Sequence, residues 1–248
     1  IVKYLVEECK VDPNIKNNRE ETPLHLASSN GHLDIVKYLV EECKADPNIK
    51  NDNEMTPLHF ASKNGHLDIV KYLIEECKAD PNIKDNDGHT PLHSASEYGH
   101  LDIVKYLVEE GKADPNIKDK YGQTPLHYVT SSYYDYLNIV KYLVEECKVD
   151  PNIKDKYGQT PLHSASENGH LDIVKYLVEE CKVDPNIKNN YGNTPLHIAS
   201  YNGKLDIVKY LIEECKADPN IKNNNGSTPL YVASSKGHLD IVKYLKSH

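Results

Sequence analysis

Cysteine and histidine are the side chains of this sequence whose chemistry could bind a metal or support catalysis. The chain has 248 residues, with 6 Cys and 13 His. Protein zinc sites draw on paired ligands such as CxxC, whereas each cysteine here stands alone in Glu-Glu-Cys-Lys. We therefore expect no metal site. The cysteines are Cys9, Cys43, Cys77, Cys147, Cys181 and Cys215.

A disulfide framework is equally disfavoured. Gly111 fills the cysteine slot in one copy without any compensating change. Stacked helical units lie about 8–10 Å apart, whereas a disulfide needs Cα atoms within about 7 Å. Free thiols predict a reducing compartment, so the expected location is cytoplasmic or nuclear.

The histidines recur in two fixed contexts, Thr-Pro-Leu-His and Gly-His-Leu. Two histidines of one copy fall on different predicted helices, and between copies the stack spacing is too wide for a shared metal with ligand bonds of about 2 Å, so a metal array is disfavoured. We expect them to bond backbone groups within or between copies. The first set is His25, His59, His93, His127, His163 and His197, and the second is His32, His66, His100, His170 and His238.

Adjacent carboxylates such as Glu41-Glu42 also recur. Neighbouring helical residues point about 100° apart, which suits a solvated acidic face rather than an acid–base pair. The sequence has no Gly-rich phosphate loop and no nucleophile elbow. We therefore predict neither an enzyme nor a cofactor.

Charge and hydropathy exclude further classes. The formal net charge is −9, which argues against nucleic-acid binding because that needs a basic face. No apolar run reaches the 18 residues of a membrane span, and residues 1–10 do not form a secretory signal. The chain begins with Ile rather than Met, so we expect it to be a piece of a longer protein.

Internal repetition is the strongest signal. The tetrapeptide Thr-Pro-Leu-His begins at Thr22 and recurs at spacings of 34, 34, 34, 36 and 34, and Thr228 starts a variant ending in Tyr231 after a further 34. In each copy, Thr followed by Pro predicts a helix start. A second helix follows over roughly Leu33–Glu42, with an apolar stripe at helical spacing. Asn, Asp and Gly between copies predict a tight turn.

At residues 85–96 and 99–104 the chain resembles the ankyrin repeat family, through Asp-Asn-Asp-Gly-His-Thr-Pro-Leu-His-Ser-Ala-Ser and Gly-His-Leu-Asp-Ile-Val. The resemblance implies an all-α solenoid with short β-hairpin fingers, about seven repeats and an N-terminal half repeat. Each copy is one residue longer than the family's 33. The expected boundaries are 1–16, 17–50, 51–84, 85–118, 119–154 with a two-residue insertion, 155–188, 189–222 and 223–248.

Positions that differ between copies are candidates for partner contact, because fixed positions serve the stack. Three consecutive finger tips carry Tyr, an amino acid enriched in interface hot spots. Duplication of one copy could also explain these tyrosines. The predicted partner-binding residues are Tyr121, Gln123, Tyr128, Tyr157, Gln159, Tyr191, Asn193, Ile198 and Tyr201.

The copy at 119–154 is the exception to the pattern. Its helix–helix loop has two extra residues, no Gly, and the tyrosines Tyr133, Tyr134 and Tyr136. These three form a predicted secondary patch, either for a second contact or for self-association, or else a tolerated insertion.

The function predicted is a monomeric scaffold that binds a protein or peptide on its concave finger and first-helix surface. The alternative is a substrate-recruiting ankyrin arm of a larger enzyme, channel or membrane-linked protein.

Overall fold

The computed structural model describes residues 2–247, and within them it contains fifteen α-helices and no β-strand. A short first helix and a longer second helix alternate, after an isolated second helix at the start. Helix α9 continues as a π-helical turn, Tyr142–Glu146. The α-helices are α1 Val2–Glu7, α2 Pro23–Ser29, α3 Leu33–Glu41, α4 Pro57–Asn64, α5 Leu67–Glu75, α6 Pro91–Glu97, α7 Leu101–Glu109, α8 Pro125–Ser131, α9 Leu137–Lys141, α10 Pro161–Asn168, α11 Leu171–Glu179, α12 Pro195–Tyr201, α13 Leu205–Glu213, α14 Pro229–Lys236 and α15 Leu239–Leu245.

The helices form two compact units, which we call the N-terminal stack, up to Lys120, and the C-terminal stack, from Tyr121. Within each stack, first helices pack on first helices and second helices on second helices. The all-α repeat architecture is thus confirmed. Among residues 2–247, no helix is both long and apolar enough to cross a membrane.

The core of each stack is shared between neighbouring repeats. In the repeat at 155–188, Leu162 of α10 and Ile173, Val174 and Leu177 of α11 are fully buried. Each such side chain contributes roughly 1.5–3 kcal/mol relative to leaving it exposed. A single repeat cannot bury this stripe alone, so stability comes from stacking.

Within each stack, the histidine of Thr-Pro-Leu-His joins a first helix to the following repeat. In α10, the backbone N–H of Thr160 donates to His163 Nδ1 at 3.2 Å. Because Nδ1 accepts this bond, Nε2 carries the proton and donates to the carbonyl of Asn193, 3.1 Å away. The same Nε2 bond recurs from His25, His59, His127 and His197.

The histidine of Gly-His-Leu makes a second link, in the opposite direction. His170 Nε2 lies 2.8 Å from the carbonyl oxygen of Ser132, at the end of the preceding first helix. His66, His100 and His238 make the equivalent bond. These histidines therefore bond backbone groups, as expected from the sequence, and residues 2–247 hold no cluster of three or more metal-ligating side chains.

A ladder of tyrosine–glutamate hydrogen bonds lines the second helices. Tyr176 Oη donates to Glu145 Oε1 at 2.9 Å, and Lys141 Nζ lies 5.4 Å from the centre of the tyrosine ring. Equivalent bonds link Tyr72 to Glu41, Tyr106 to Glu75, Tyr210 to Glu179 and Tyr244 to Glu213. The first glutamate of each pair is exposed, as the expected acidic face requires, and it also accepts a tyrosine hydroxyl from the next repeat.

The extra residue of each repeat is accommodated at the exit of the second helix. Lys148, which follows Cys147, adopts a left-handed conformation with φ of 56°. Its Nζ reaches back to the carbonyl of Glu145 at 2.5 Å, so the ammonium group caps the negative end of the helix.

The β-hairpin fingers expected from the resemblance are not confirmed. The five residues before each Thr form a turn, here called the finger turn, such as 155–159. Asp155 Oδ1 accepts the backbone N–H groups of Tyr157 and Gln159 at 2.8 and 2.9 Å. A single backbone bond, from Lys156 N–H to the Tyr121 carbonyl, links this turn to the one before. The Asp155 side chain therefore accepts backbone N–H groups that would otherwise pair with a neighbouring strand.

We expect Tyr176→Phe to lower the free energy of unfolding by about 1 kcal/mol, because the change removes the hydroxyl that Glu145 accepts. Urea unfolding at pH 7 measures this. Tyr133→Phe is the matched control, since that side chain is 89% exposed. Equal stabilities of the two variants would contradict the ladder's contribution.

Acid should weaken the stacks through the capping histidines. Burial lowers the pKa of His59 and of His163 to about 4, although hydrogen bonds to the carbonyls of His89 and Asn193 oppose the shift. A depressed pKa stabilises the fold above about pH 6.5, and this stabilisation falls as pH drops toward 4. We expect a loss of roughly 2 kcal/mol per histidine between pH 7.5 and 5.

The comparison variant is His163→Gln. It should be less stable than the parent protein at pH 7.5, yet lose less on acidification. Identical pH slopes in urea unfolding would show that His163 does not carry this effect.

Candidate partner-binding surface

The nine predicted contact residues all fall in the C-terminal stack. Tyr121, Tyr157 and Tyr191 occupy consecutive finger tips and are 41%, 46% and 57% exposed. Tyr201 on α12 is also exposed, whereas Tyr128 on α8 and Ile198 on α12 are half-buried. The three tips and Tyr201 therefore expose more surface than Tyr128 and Ile198 do.

Backbone hydrogen bonds hold the tyrosine tips in order. The tip carbonyls of Tyr121, Tyr157 and Tyr191 accept N–H groups from the next finger turn at 2.9, 3.0 and 3.0 Å. Each tip is thereby tied to its neighbour. We call Tyr121, Tyr157 and Tyr191 the tyrosine ridge.

A cavity of about 350 Å³ lies between the finger turns and first helices of the last repeats. Four predicted residues line it: Gln159, Asn193, Ile198 and Tyr201. The tyrosine ridge, Gln123 and Tyr128 do not. The lining also includes residues outside the predicted contact set, namely Glu167, His197, Asn202, Asn223, Asn225, Ser227 and Val232.

Amide side chains cross-link the finger turns around this cavity. Asn189 Nδ2 donates to Gln159 Oε1 at 3.0 Å, and Asn223 Nδ2 donates to Asn193 Oδ1 at 2.8 Å. Tyr201 is held on another side, where Lys236 Nζ lies 4.2 Å from its ring centre. That distance suits a cation–π contact, which orders the aromatic wall.

The tyrosines of the insertion lie in the loop between α8 and α9. Tyr133 and Tyr134 are highly exposed and meet edge to face with ring centres 4.9 Å apart, and Tyr136 lies 6.0 Å from Tyr134. Buried Ser132 anchors the loop through its hydroxyl, which bonds the carbonyls of Val129 and Tyr134. None of the three tyrosines lines the cavity.

The N-terminal stack contains a charged cavity of about 360 Å³ that the sequence did not predict. His89 lies at its wall between two carboxylates, with Nδ1 3.3 Å from Asp85 and Nε2 3.5 Å from Asp119. The sequence feature that could have pointed to His89 is that it belongs to neither repeated histidine motif. It also occupies the variable position before Thr, where Gln123 and Gln159 stand in later repeats.

The environment of His89 favours its charged form. Burial lowers the pKa of His89, but the hydrogen bond that its ring donates to Asp85 and the negative charges of Asp85, Asp119 and Asp87 outweigh burial, so the pKa is raised. Glu97 lines the same cavity, and burial raises its pKa against the opposing charges of Lys63 and His89. The cavity thus carries charges of both signs.

The structure consists of stacked helix pairs that hydrogen bonds between fixed residues join together. The variable residues lie on the turns and first helices. This arrangement defines a repeat scaffold. The sequence comparison agrees with this class. The family model described as "Ankyrin repeats (3 copies)" matches residues 1–85, 43–119, 77–155, 111–189, 133–223 and 181–248. The chain therefore belongs to the ankyrin repeat family, whose repeats are in general protein–protein interaction modules.

A local similarity links the chain to alpha-latrocrustotoxin-Lt1a of Latrodectus tredecimguttatus. The two are 54% identical over 35 residues, about one repeat. This stretch is 14% of the present chain and 2% of the toxin's length. It therefore compares one repeat and does not extend to the toxin as a whole.

Replacing His89 by Gln should remove a pH dependence opposite in sign to that of the capping histidines. A raised pKa gives stabilisation that is complete below about pH 6.5 and is lost as pH rises through the folded-state value. The difference in unfolding free energy between parent and His89→Gln should therefore be larger at pH 6 than at pH 8.5. Gln is the matched residue because Gln123 fills the equivalent position. A constant difference would contradict the prediction.

Proposed function

We propose that this chain is a scaffold that binds a protein or peptide through the finger turns and first helices of its C-terminal stack. The observation that carries the proposal is that variable residues surround one cavity. The residues that repeat instead form the helix caps, the buried core and the tyrosine–glutamate hydrogen bonds. Four variable side chains, Gln159, Asn193, Ile198 and Tyr201, line that cavity.

The tyrosine ridge adds contact area beside it. Tyrosine combines a large apolar ring with a polar hydroxyl and few rotatable bonds, which suits interface hot spots. Because each tip is tied to the next by a backbone bond, a partner would meet rings that are already placed. This limits the entropy lost on binding.

No catalytic role is proposed. Ankyrin repeats are typically non-catalytic scaffolds, and the recurring cap histidines and second-helix tyrosines are engaged in structural bonds. We also propose that the chain is monomeric, and that Tyr133, Tyr134 and Tyr136 form a smaller second contact for a partner.

A second candidate places these repeats as the recruiting arm of a larger protein. One observation favours it: a closely similar 35-residue repeat occupies only 2% of a far longer relative. In that case the binding surface would be the same, and the activity of the whole protein would reside in other segments.

Changing Tyr121, Tyr157 and Tyr191 together to Ala should weaken partner binding at least tenfold and leave the stack folded, because these side chains are exposed. Crosslinking of the purified protein to partners in a native lysate, followed by quantitative recovery, measures this. The matched control changes the equivalent tips Arg19, Asn53 and Asp87 to Ala. Undiminished recovery by a folded triple tyrosine variant would exclude the ridge.

A further inference from the structure

One hydrogen-bond rule sets the polarity of the cavity in the C-terminal stack. The ligand inferred from this polarity rests on the proposed function of that surface. Asn189 Oδ1 accepts the backbone N–H groups of Tyr191 and Asn193, both at 3.0 Å. Since the oxygen is engaged, the amide nitrogen of Asn189 must face Gln159. It donates to Gln159 Oε1 at 3.0 Å. Gln159 therefore presents its own N–H groups on the other side.

The next finger turn repeats the arrangement. Asn223 Oδ1 accepts the backbone N–H groups of Asn225 and Ser227, both at 3.0 Å. Its Nδ2 donates to Asn193 Oδ1 at 2.8 Å. Asn193 is thereby oriented like Gln159, with its amide nitrogen turned away from the finger turn. Both side chains line the cavity.

A carboxylate at the same position reverses the amide before it. Asp155 accepts the backbone N–H groups of its finger turn through Oδ1, and it has no N–H to donate. Gln123 therefore turns its nitrogen inward, with Nε2 3.4 Å from Asp155 Oδ2. The choice between Asn and Asp at the start of a finger turn thus sets whether the preceding amide offers donors or an acceptor.

The cavity consequently combines donors with a small apolar wall. Gln159 and Asn193 have used their acceptor oxygens, and Ile198, Val232 and Tyr201 supply apolar surface. No lysine or arginine is among the lining residues, and Glu167 contributes a negative charge. An uncharged chain rich in carbonyl groups is complementary to these donors and to the apolar wall.

We propose that this cavity binds a proline-rich segment of a partner protein in the polyproline II conformation. Such a segment has solvated carbonyl groups without internal hydrogen bonds. Its prolines carry no N–H, so none is buried unpaired against the donors of Gln159 and Asn193. Aromatic walls are the usual seat of proline rings in this mode of recognition, and Tyr201 provides one.

The dimensions agree with this assignment. One polyproline II turn of three residues advances about 9.3 Å, and stacked helical repeats lie about 8–10 Å apart. Gln159 and Asn193 stand one repeat apart in the sequence. Carbonyl groups one turn apart along the ligand therefore meet successive amide donors.

Fluorescence anisotropy with a labelled decaproline peptide tests the proposal, with an alanine–serine decapeptide as the comparison ligand. The parent protein should bind decaproline at least tenfold more tightly. Asn189→Asp with Asn223→Asp should abolish this preference, because each carboxylate forces the preceding amide to turn its donors inward as Gln123 does. Asn186→Asp with Asn220→Asp adds the same charge outside the cavity, keeps the oxygen that accepts the Asp218 N–H, and should retain the preference.

A second pair of variants avoids dependence on the first. Gln159→Glu with Asn193→Asp keeps the acceptors for Asn189 and Asn223 but removes the donors facing the cavity, so the preference should again be lost. Equal binding of both peptides to the parent protein, or an undiminished preference in both folded donor variants, would overturn the proposal. If partner recovery still depends on the tyrosine ridge, the proposed scaffold function survives that outcome.

Discussion

Neutrality of the buried Thr-Pro-Leu-His histidine is the condition on which the structure depends. Its Nδ1 must accept from the threonine backbone while Nε2 donates to the carbonyl of the next repeat, as His163 does with Thr160 and Asn193. Only the uncharged Nε2–H tautomer satisfies both partners. One imidazole thus closes a helix start through its Nδ1 lone pair and links to the following finger turn through its Nε2 proton, so local and long-range order come from the same ring.

Most residues that the repeats share have a structural role, which leaves few positions for partner contact. Caps, core leucines and the tyrosine–glutamate ladder use most of what each repeat has in common, and only the finger turns and outer first-helix positions are free to differ. Within them, a change as small as Asp155 against Asn189 decides how a neighbouring amide faces. The cavity side chains Gln159 and Asn193 are thus oriented by Asn189 and Asn223 of the following finger turns.

The sequence was sufficient for the repeated architecture because period, Thr-Pro helix starts and apolar stripes all indicate the same fold. The hydrogen bonds of the histidines to backbone groups were expected because the spacing of the copies disfavours a shared metal. The β-hairpin form of the fingers is not confirmed, because Asx side chains accept N–H groups that a strand ladder would pair. The bonds of Glu145 and the pairing of His89 with Asp119 escaped because their partners lie about 30 residues away, one repeat along. The contact role of the nine surface residues stays a prediction.

The left-handed lysine at each second-helix exit sets what a substitution there would change. Lys44, Lys78, Lys148, Lys182 and Lys216 all have φ between 53° and 57°, a conformation that costs a non-glycine residue roughly 1–2 kcal/mol. Each exit carries this cost by itself, together with its own ammonium group. A glycine at one exit would relieve the backbone there and remove the charge that caps that helix, so the two effects oppose each other within a single residue.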